Sequence, residues 1–236
     1  MNEHPILFNG DMVRAILEGR KTQIRRPVKF VGGQPASYTG VIIDSTNTNS
    51  IGKHRFIHAN GAAEHIRCPF GKPGDLLWVR ETWAEPDSLV TGDGRCVLYR
   101  ADANEDGYTV PYLVSNAGGF GGRVGEAIIG KWQPSIHMQR WASRITLRVK
   151  SVHIERVQDI TEDDAKAEGV KCIPFSECEL IPNSEFCSVG KMTYIANLDT
   201  PMYRSGFFKT WESVYNNWNA NPLVWVVEFE RVEHTK

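Results

Sequence analysis

The 236-residue chain lacks several things that would place it quickly. Its five cysteines are an odd number with no C-x-x-C pair, which argues against a disulfide framework or a four-cysteine zinc site and for thiols in a reducing compartment. Cys172, Cys178 and Cys187 lie close in sequence, but no histidine completes a metal-ligand spacing, so neither metal nor cofactor is expected. No apolar run approaches membrane-spanning length, and Met1-Asn2-Glu3-His4-Pro5 has no basic leader; the expectation is a cytoplasmic protein with no membrane partner. A formal charge of −1 gives no global attraction to polyanions, so any such site must be local. Repeats and coiled-coil heptads are absent too.

What is present begins near the N-terminus. Asp11 to Glu18 read as a short helix capped by Asn9 or Asp11, with Val13, Ile16 and Leu17 on one face and Gly19 as its left-handed stop. From Arg20 to Lys29 there are five basic residues and no acid, ended by Arg26-Pro27, where proline holds Arg26 extended. Period two puts Lys21 and Arg25 on one strand face and Thr22, Ile24 and Arg26 on the other. Fixed donors beside a helix end suit a phosphate, a carboxylate or a base edge.

Residues 32–66 are rich in turn formers and read as an insertion, with one strand at Val41-Ile42-Ile43; His54, His58 and His65 fit no metal template and are expected to be solvated or hydrogen-bonded. After Pro73-Gly74-Asp75, Leu76 to Trp83 is a strand with Leu77, Val79, Glu81 and Trp83 on one face. The mixed faces suit a barrel strand that meets the core at one end and a ligand cleft at the other, and ordinary surface charges explain Arg80 and Glu81 almost as well. Residues 84–130 form a second insertion, with a strand at Cys96 to Tyr99 and a glycine-rich stretch at Ala117 to Gly125. Gly125 to Lys131 imitates the start of a phosphate-binding loop, but Trp132 stands where Ser or Thr must ligate magnesium.

Ala127 to Ile154 holds no acid, while Lys131, Arg140, Arg144, Arg148 and Lys150 interleave with Trp132, His137 and Trp141. Cations for phosphates and rings for stacking are what single-stranded nucleic acid needs; core tryptophans beside a basic strand face fit equally well. Ile145, Leu147 and Val149 then share a strand face, and Thr161 with Asp164 opens a helix ended by Gly169, with Glu168 in its last turn. A third insertion spans 171–204. Ser205 starts a helix with an aromatic stripe through Phe207, Phe208, Trp211, Val214, Tyr215 and Trp218, expected to be core, and Leu223 to Phe229 is an apolar strand buried on both faces.

Gly19, Lys21 and Arg26 fall on a pattern that resembles the ASCH signature, a branch of the PUA-like β-barrel superfamily. The Pro73-Gly74-Asp75 strand and the Thr161 helix resemble that family in order, and Trp132 to Arg144 resembles a run found in its phage and prophage members. The resemblance implies an α+β fold, a single PUA-like β-barrel domain over 1–236 with peripheral short helices and loop insertions. It implies binding of RNA, single-stranded nucleic acid or a modified nucleoside, with Arg25, Arg26, Glu81, Trp83, Trp132, His137, Arg140, Trp141 and Arg144 as candidate ligand residues. The alternative is an amidohydrolase that removes acyl groups from N4-acylcytidine, for which Lys21 and Glu168 match the family's lysine and glutamate. Ile24 stands where the threonine nucleophile would be, and Thr22 lies roughly 7 Å away along a strand rising ~3.3 Å per residue, which ranks catalysis second. A phage-associated structural or assembly role is a further alternative.

Overall fold

Local signals in the chain set most of its regular elements. The computed structural model describes residues 1–31, 33–43, 46–88, 95–103, 112–114, 120–123, 128–129, 131–172 and 203–232. In chain order these form β1 (Glu3–Leu7), α1 (Gly10–Leu17), β2 (Gln23–Pro27), β3 (Ser37–Val41), β4 (His54–Ile57), β5 (Ala63–Ile66), β6 (Leu76–Arg80), β7 (Trp83–Ala84) and β8 (Pro86–Ser88). They continue with β9 (Arg95–Tyr99), β10 (Tyr112–Val114), β11 (Phe120–Arg123), β12 (Ile128–Ile129), β13 (Thr146–Arg156), α2 (Glu162–Ala167), α3 (Tyr203–Tyr215) and β14 (Leu223–Val232). The fold is mixed α+β: a five-stranded mixed sheet ordered β1-β6-β13-β14-β2, smaller sheets and short helices. Among the described residues no pairing closes that sheet into a barrel. No described helix is long and apolar enough to cross a membrane.

The chain divides into two compact units, the first made of Met1–Gly19, Phe70–Lys150 and Phe229–Lys236, the second of Arg20–Pro69 and Ser151–Glu228. In the first, the Asn9 side chain accepts from the Met12 amide at 2.9 Å to cap α1, and Gly19 takes φ +75°, as the sequence predicts. Parallel pairing sets Ile6 beside Val79, and antiparallel pairing sets Leu77 beside Leu147. The expected alternation holds: Leu77, Val79, Glu81 and Trp83 are buried, whereas Leu76, Trp78, Arg80 and Thr82 are half-buried. The strand expected at Cys96 to Tyr99 is β9, and it lies in the four-stranded sheet β11-β10-β9-β7. Of the glycine-rich 117–125 stretch only β11 falls within the described residues, and the loop-like Gly125 to Lys131 run falls mostly outside them.

In the second unit β14 pairs antiparallel with β2, with Val226 opposite Arg25. Leu223 to Val227 are all buried, the expected state for a strand with neighbours on both sides. The 32–66 segment is more than a loop: β3, β4 and β5 make an antiparallel sheet, and the strand expected at Val41-Ile42-Ile43 ends at Val41. His54 meets the Tyr38 hydroxyl at 2.9 Å and packs edge-on to Trp225, and His58 pairs with Glu64 at 2.9 Å, so both are hydrogen-bonded as expected; His65 is exposed. Most of 171–204, with Cys178 and Cys187, lies outside the described residues, while Cys172 is exposed.

Helices α2 and α3 bury Ile160, Ala165, Phe207, Trp211 and Trp218 in one cluster with Val224 and Val226. Val214 departs from the expected stripe at 54% exposure, because the buried arc of α3 runs through Gly206, Phe207 and Trp211. Gly206 is needed for contact: a β-carbon there would collide with the backbone carbonyl of Lys171. Gly206→Ala should therefore destabilise the protein by about 1–3 kcal/mol, although alanine favours an isolated helix by roughly 1 kcal/mol. A rise in the urea midpoint would contradict this packing.

Candidate functional site

Two groups of sequence-selected residues assemble, one in each unit. In the second unit, α2 starts with a complete capping box: Thr161 accepts from the Asp164 amide at 3.1 Å, and the Asp164 carboxylate accepts from the Thr161 amide at 3.2 Å. The helix ends at Glu168, with Gly169 at φ +72°. The segment after α1 is pinned against this end. The Thr22 amide donates to Ala167 at 2.9 Å, Arg20 donates to the Gly169 carbonyl at 3.0 Å, and Lys21 and Glu168 face each other in an isolated antiparallel bridge.

Lys21, Gln23 and Arg25 alternate onto one buried face, as period two requires. The Lys21 ammonium donates to the Glu168 carboxylate and to the Glu168 carbonyl, each at 2.8 Å, and its side chain is 0% exposed. Arg25 reaches the Glu155 carboxylate at 2.7 Å, Glu168 at 3.3 Å and Asp164 at 3.4 Å, while Gln23 donates to Asp164 at 3.2 Å. A carboxylate in the last turn of a helix is disfavoured by the helix dipole; Lys21 and Arg25 offset that here. Burial pushes the Lys21 ammonium below its ordinary value, partly countered by Glu168 and reinforced by Arg26 and Arg25. Arg26 points elsewhere and donates to the Tyr215 hydroxyl at 3.0 Å. Ile24 is buried at 1% exposure, and Thr22 is exposed on the opposite face.

The first unit holds the other group. Arg144 is fixed by Glu81 at 2.9 and 3.0 Å and by Asp102 at 2.7 and 2.8 Å, with its guanidinium 3.9 Å from the Tyr99 ring centre. Burial works against the Arg144 charge, but Glu81 and Asp102 outweigh it and hold the group above its ordinary value; burial raises the Glu81 carboxyl, and Arg144 opposes that rise. Trp83 is 3% exposed, packs edge-on to Trp141 at 5.7 Å, and belongs to a core with Val97, Tyr99, Met138 and Ala142. Arg140 pairs with Glu3 at 2.8 Å on the surface. Of the first-unit candidates, then, Glu81, Trp83, Trp141 and Arg144 sit in or against a core, and Trp132 and His137 line a groove.

That groove measures about 550 Å³ and is lined by Glu85, Lys131, Trp132, Gln133, Pro134 and His137. Beside it, Trp83 and Gln133 exchange backbone hydrogen bonds at 3.2 and 2.7 Å in an isolated antiparallel bridge, and β8 pairs antiparallel with β12, with Ser88 opposite Ile128 and Pro86 opposite Ile129. Arg80 donates to the Ile136 carbonyl and so anchors the turn that presents His137. Among the described residues no group of three His, Cys, Asp or Glu side chains is arranged to hold a metal.

Sequence reasoning missed Glu155 and Asp164 as partners of Arg25, Gln23 as a partner of Asp164, and Asp102 and Tyr99 as partners of Arg144. It also missed Glu85, Lys131 and Gln133 in the groove. Asp164 stood out only as a capping residue, and the Lys131 side of the groove carried a signal in the acid-free run that holds Lys131 and Trp132. Compared with known families, curated proteins and solved structures, the chain matches no family model, no curated protein and no solved structure.

Glu168→Ala should cost about 3–5 kcal/mol because it strands a buried ammonium, whereas Lys21→Met combined with Glu168→Leu should cost less than either single change. Equal losses in single and double variants, measured by urea unfolding, would show that the pair is not coupled. The ion network also gives stability two pH limbs. Burial works against the Glu155 and Asp164 charges, but the His153 imidazole at 3.6 Å and a hydrogen bond from Arg25 hold the Glu155 carboxyl, and hydrogen bonds from Thr161 and Gln23 hold the Asp164 carboxyl, below their ordinary values. Their contribution is therefore whole above the unfolded carboxylate range and is lost as pH falls through the lowered native values. Glu155 raises His153, whose smaller, half-exposed contribution is whole below the unfolded histidine value and is lost as pH rises through the native one. Thermal melts across pH should show both limbs, and Glu155→Gln should flatten both; an unchanged acid limb in that variant would contradict the assignment.

Proposed function

We propose that this chain is an ASCH-type, PUA-like module that binds RNA, single-stranded nucleic acid or a modified nucleoside. The observation that carries this reading is the groove in which Trp132 and His137 stand beside Lys131. A tryptophan offers a stacking face to any base, at about 1–3 kcal/mol per base by alanine substitution. A lysine beside it supplies a phosphate contact without fixing sequence. Arg100 lies 5.4 Å from the centre of the Trp132 ring, which orients the indole and adds positive charge next to it. The barrel and the family membership belong to this proposal, and so does a cytoplasmic setting; the order of signature strand, Pro73-Gly74-Asp75 strand, Thr161 helix and last strand supports them.

Binding of a single-stranded RNA should weaken with salt, since each neutralised phosphate contributes a slope of roughly −0.7 in log affinity against log salt. Trp132→Ala should lower affinity by about 1–3 kcal/mol, and Lys131→Ala should flatten the salt slope by roughly 0.7. Titration of labelled RNA at several salt concentrations reads all three, and no binding at low salt would overturn the reading.

One observation favours a second reading, amidohydrolysis of an N4-acylcytidine: Lys21 and Glu168, the positions that match the family's lysine and glutamate, are in contact at 2.8 Å. Against it stands the buried, apolar Ile24, which offers no nucleophile, and an ammonium whose hydrogen bonds are made inside the protein. Cytidine release from N4-acetylcytidine should therefore be undetectable with the native chain. Release that Lys21→Ala abolishes would reverse the order of the two readings.

A further inference from the structure

The groove has more than a ring and a cation. Glu85 and Lys131 lie two residues along their segments from the Trp83–Gln133 bridge, and both line the groove with Trp132, so a carboxylate and an ammonium share the site with the indole. Among the described residues, no hydrogen bond or ion pair engages the side chains of Glu85, Lys131, Gln133 or His137, although all four line the same groove. Glu85, Lys131 and His137 are exposed, and Trp132 and Gln133 are half-buried.

This mixture is poorly suited to a run of phosphates. A polyanion laid along the groove would bring a phosphate against Glu85. One phosphate at Lys131 with a base over Trp132 would instead leave Glu85 to a hydrogen-bond donor. A carboxylate only accepts, and the base edges that donate through an exocyclic amino group are those of cytosine, adenine and guanine. Uracil and hypoxanthine present a carbonyl at the corresponding place, which Glu85 would repel. The groove volume of about 550 Å³ falls within the span of single small-ligand sites, a scale that fits one nucleotide.

We infer that the Glu85–Lys131–Trp132–His137 groove holds one nucleotide whose base carries an exocyclic amino group, with Trp132 stacking the base, Glu85 accepting from the amine and Lys131 meeting the phosphate. The nucleotide is either free or an unpaired residue of a strand. This inference rests on the nucleic-acid reading of the same groove and adds the rule by which it selects.

Isothermal titration of the full chain with cytidine and uridine 5′-monophosphates, and with adenosine and inosine 5′-monophosphates, tests it. The amino-bearing member of each pair should bind at least about fivefold tighter, the lower end of what one good base-edge contact discriminates. Glu85→Ala, at an exposed position, should bring the two members of each pair within about twofold, and Lys131→Ala should bring cytidine monophosphate to the affinity of cytidine. An oligouridylate carrying one cytidine, set beside plain oligouridylate, separates the sources: tighter binding than the free nucleotide assigns the site to a strand residue, and equal binding assigns it to the free nucleotide. If neither cytidine monophosphate nor the cytidine-bearing strand is preferred over its uridine counterpart, or if the preference survives Glu85→Ala, the selection rule is wrong. Trp132-dependent, salt-sensitive binding of the strands in that case would leave the nucleic-acid reading standing, and absence of all binding would remove both.

Discussion

A lysine ammonium taken wholly out of water must be met by fixed acceptors, and that requirement governs the second unit. Lys21 is met by a carboxylate and a carbonyl of one residue, Glu168. Because Glu168 must be held still to do this, the end of α2 is tied to the chain after α1 by the Thr22 and Arg20 hydrogen bonds. Arg25 extends the same solution to Glu155 on β13 and Asp164 in α2. Removing one member leaves a stranded charge, which is why such networks break at a cost of several kcal/mol although their net contribution relative to an apolar core is small.

The first unit answers the same constraint with Arg144. Its guanidinium is planar and carries five donors, so two carboxylates and the face of Tyr99 can satisfy it together. The consequence is positional. With Arg144 fixed, the Tyr99 hydroxyl donating to Ala142 at 2.8 Å and the Ser143 hydroxyl donating to Val79 at 2.7 Å, the C-terminal half of the Trp132–Arg144 segment belongs to the core. Its N-terminal half is left to form a groove.

The groove and the buried cluster thus divide the chemistry that the sequence presents as one basic and aromatic theme. Cations that are buried with carboxylates hold the fold, and a lysine that remains exposed beside a half-buried tryptophan is available to a ligand. Lys21 and Arg25, on the stretch that resembles a known signature, fall in the first class. Lys131 falls in the second.

Much of the local structure was determined by the sequence alone: the Asn9 cap and Gly19 stop of α1, the Thr161–Asp164 box of α2, the alternation of β6 and the continuous burial of β14. Each depends on residues within a few positions of one another, or on a period fixed by backbone geometry. Tertiary structure alone decided which charges pair and which rings are buried. Lys21 and Glu168 are 147 positions apart, and no local rule specifies their contact. Trp83, Trp132 and Trp141 are the same residue type, and the last two share one basic run, yet Trp83 is core, Trp141 packs against it, and Trp132 lines the groove. A side chain's fate there is set by what the fold packs over it, information that lies in other parts of the chain.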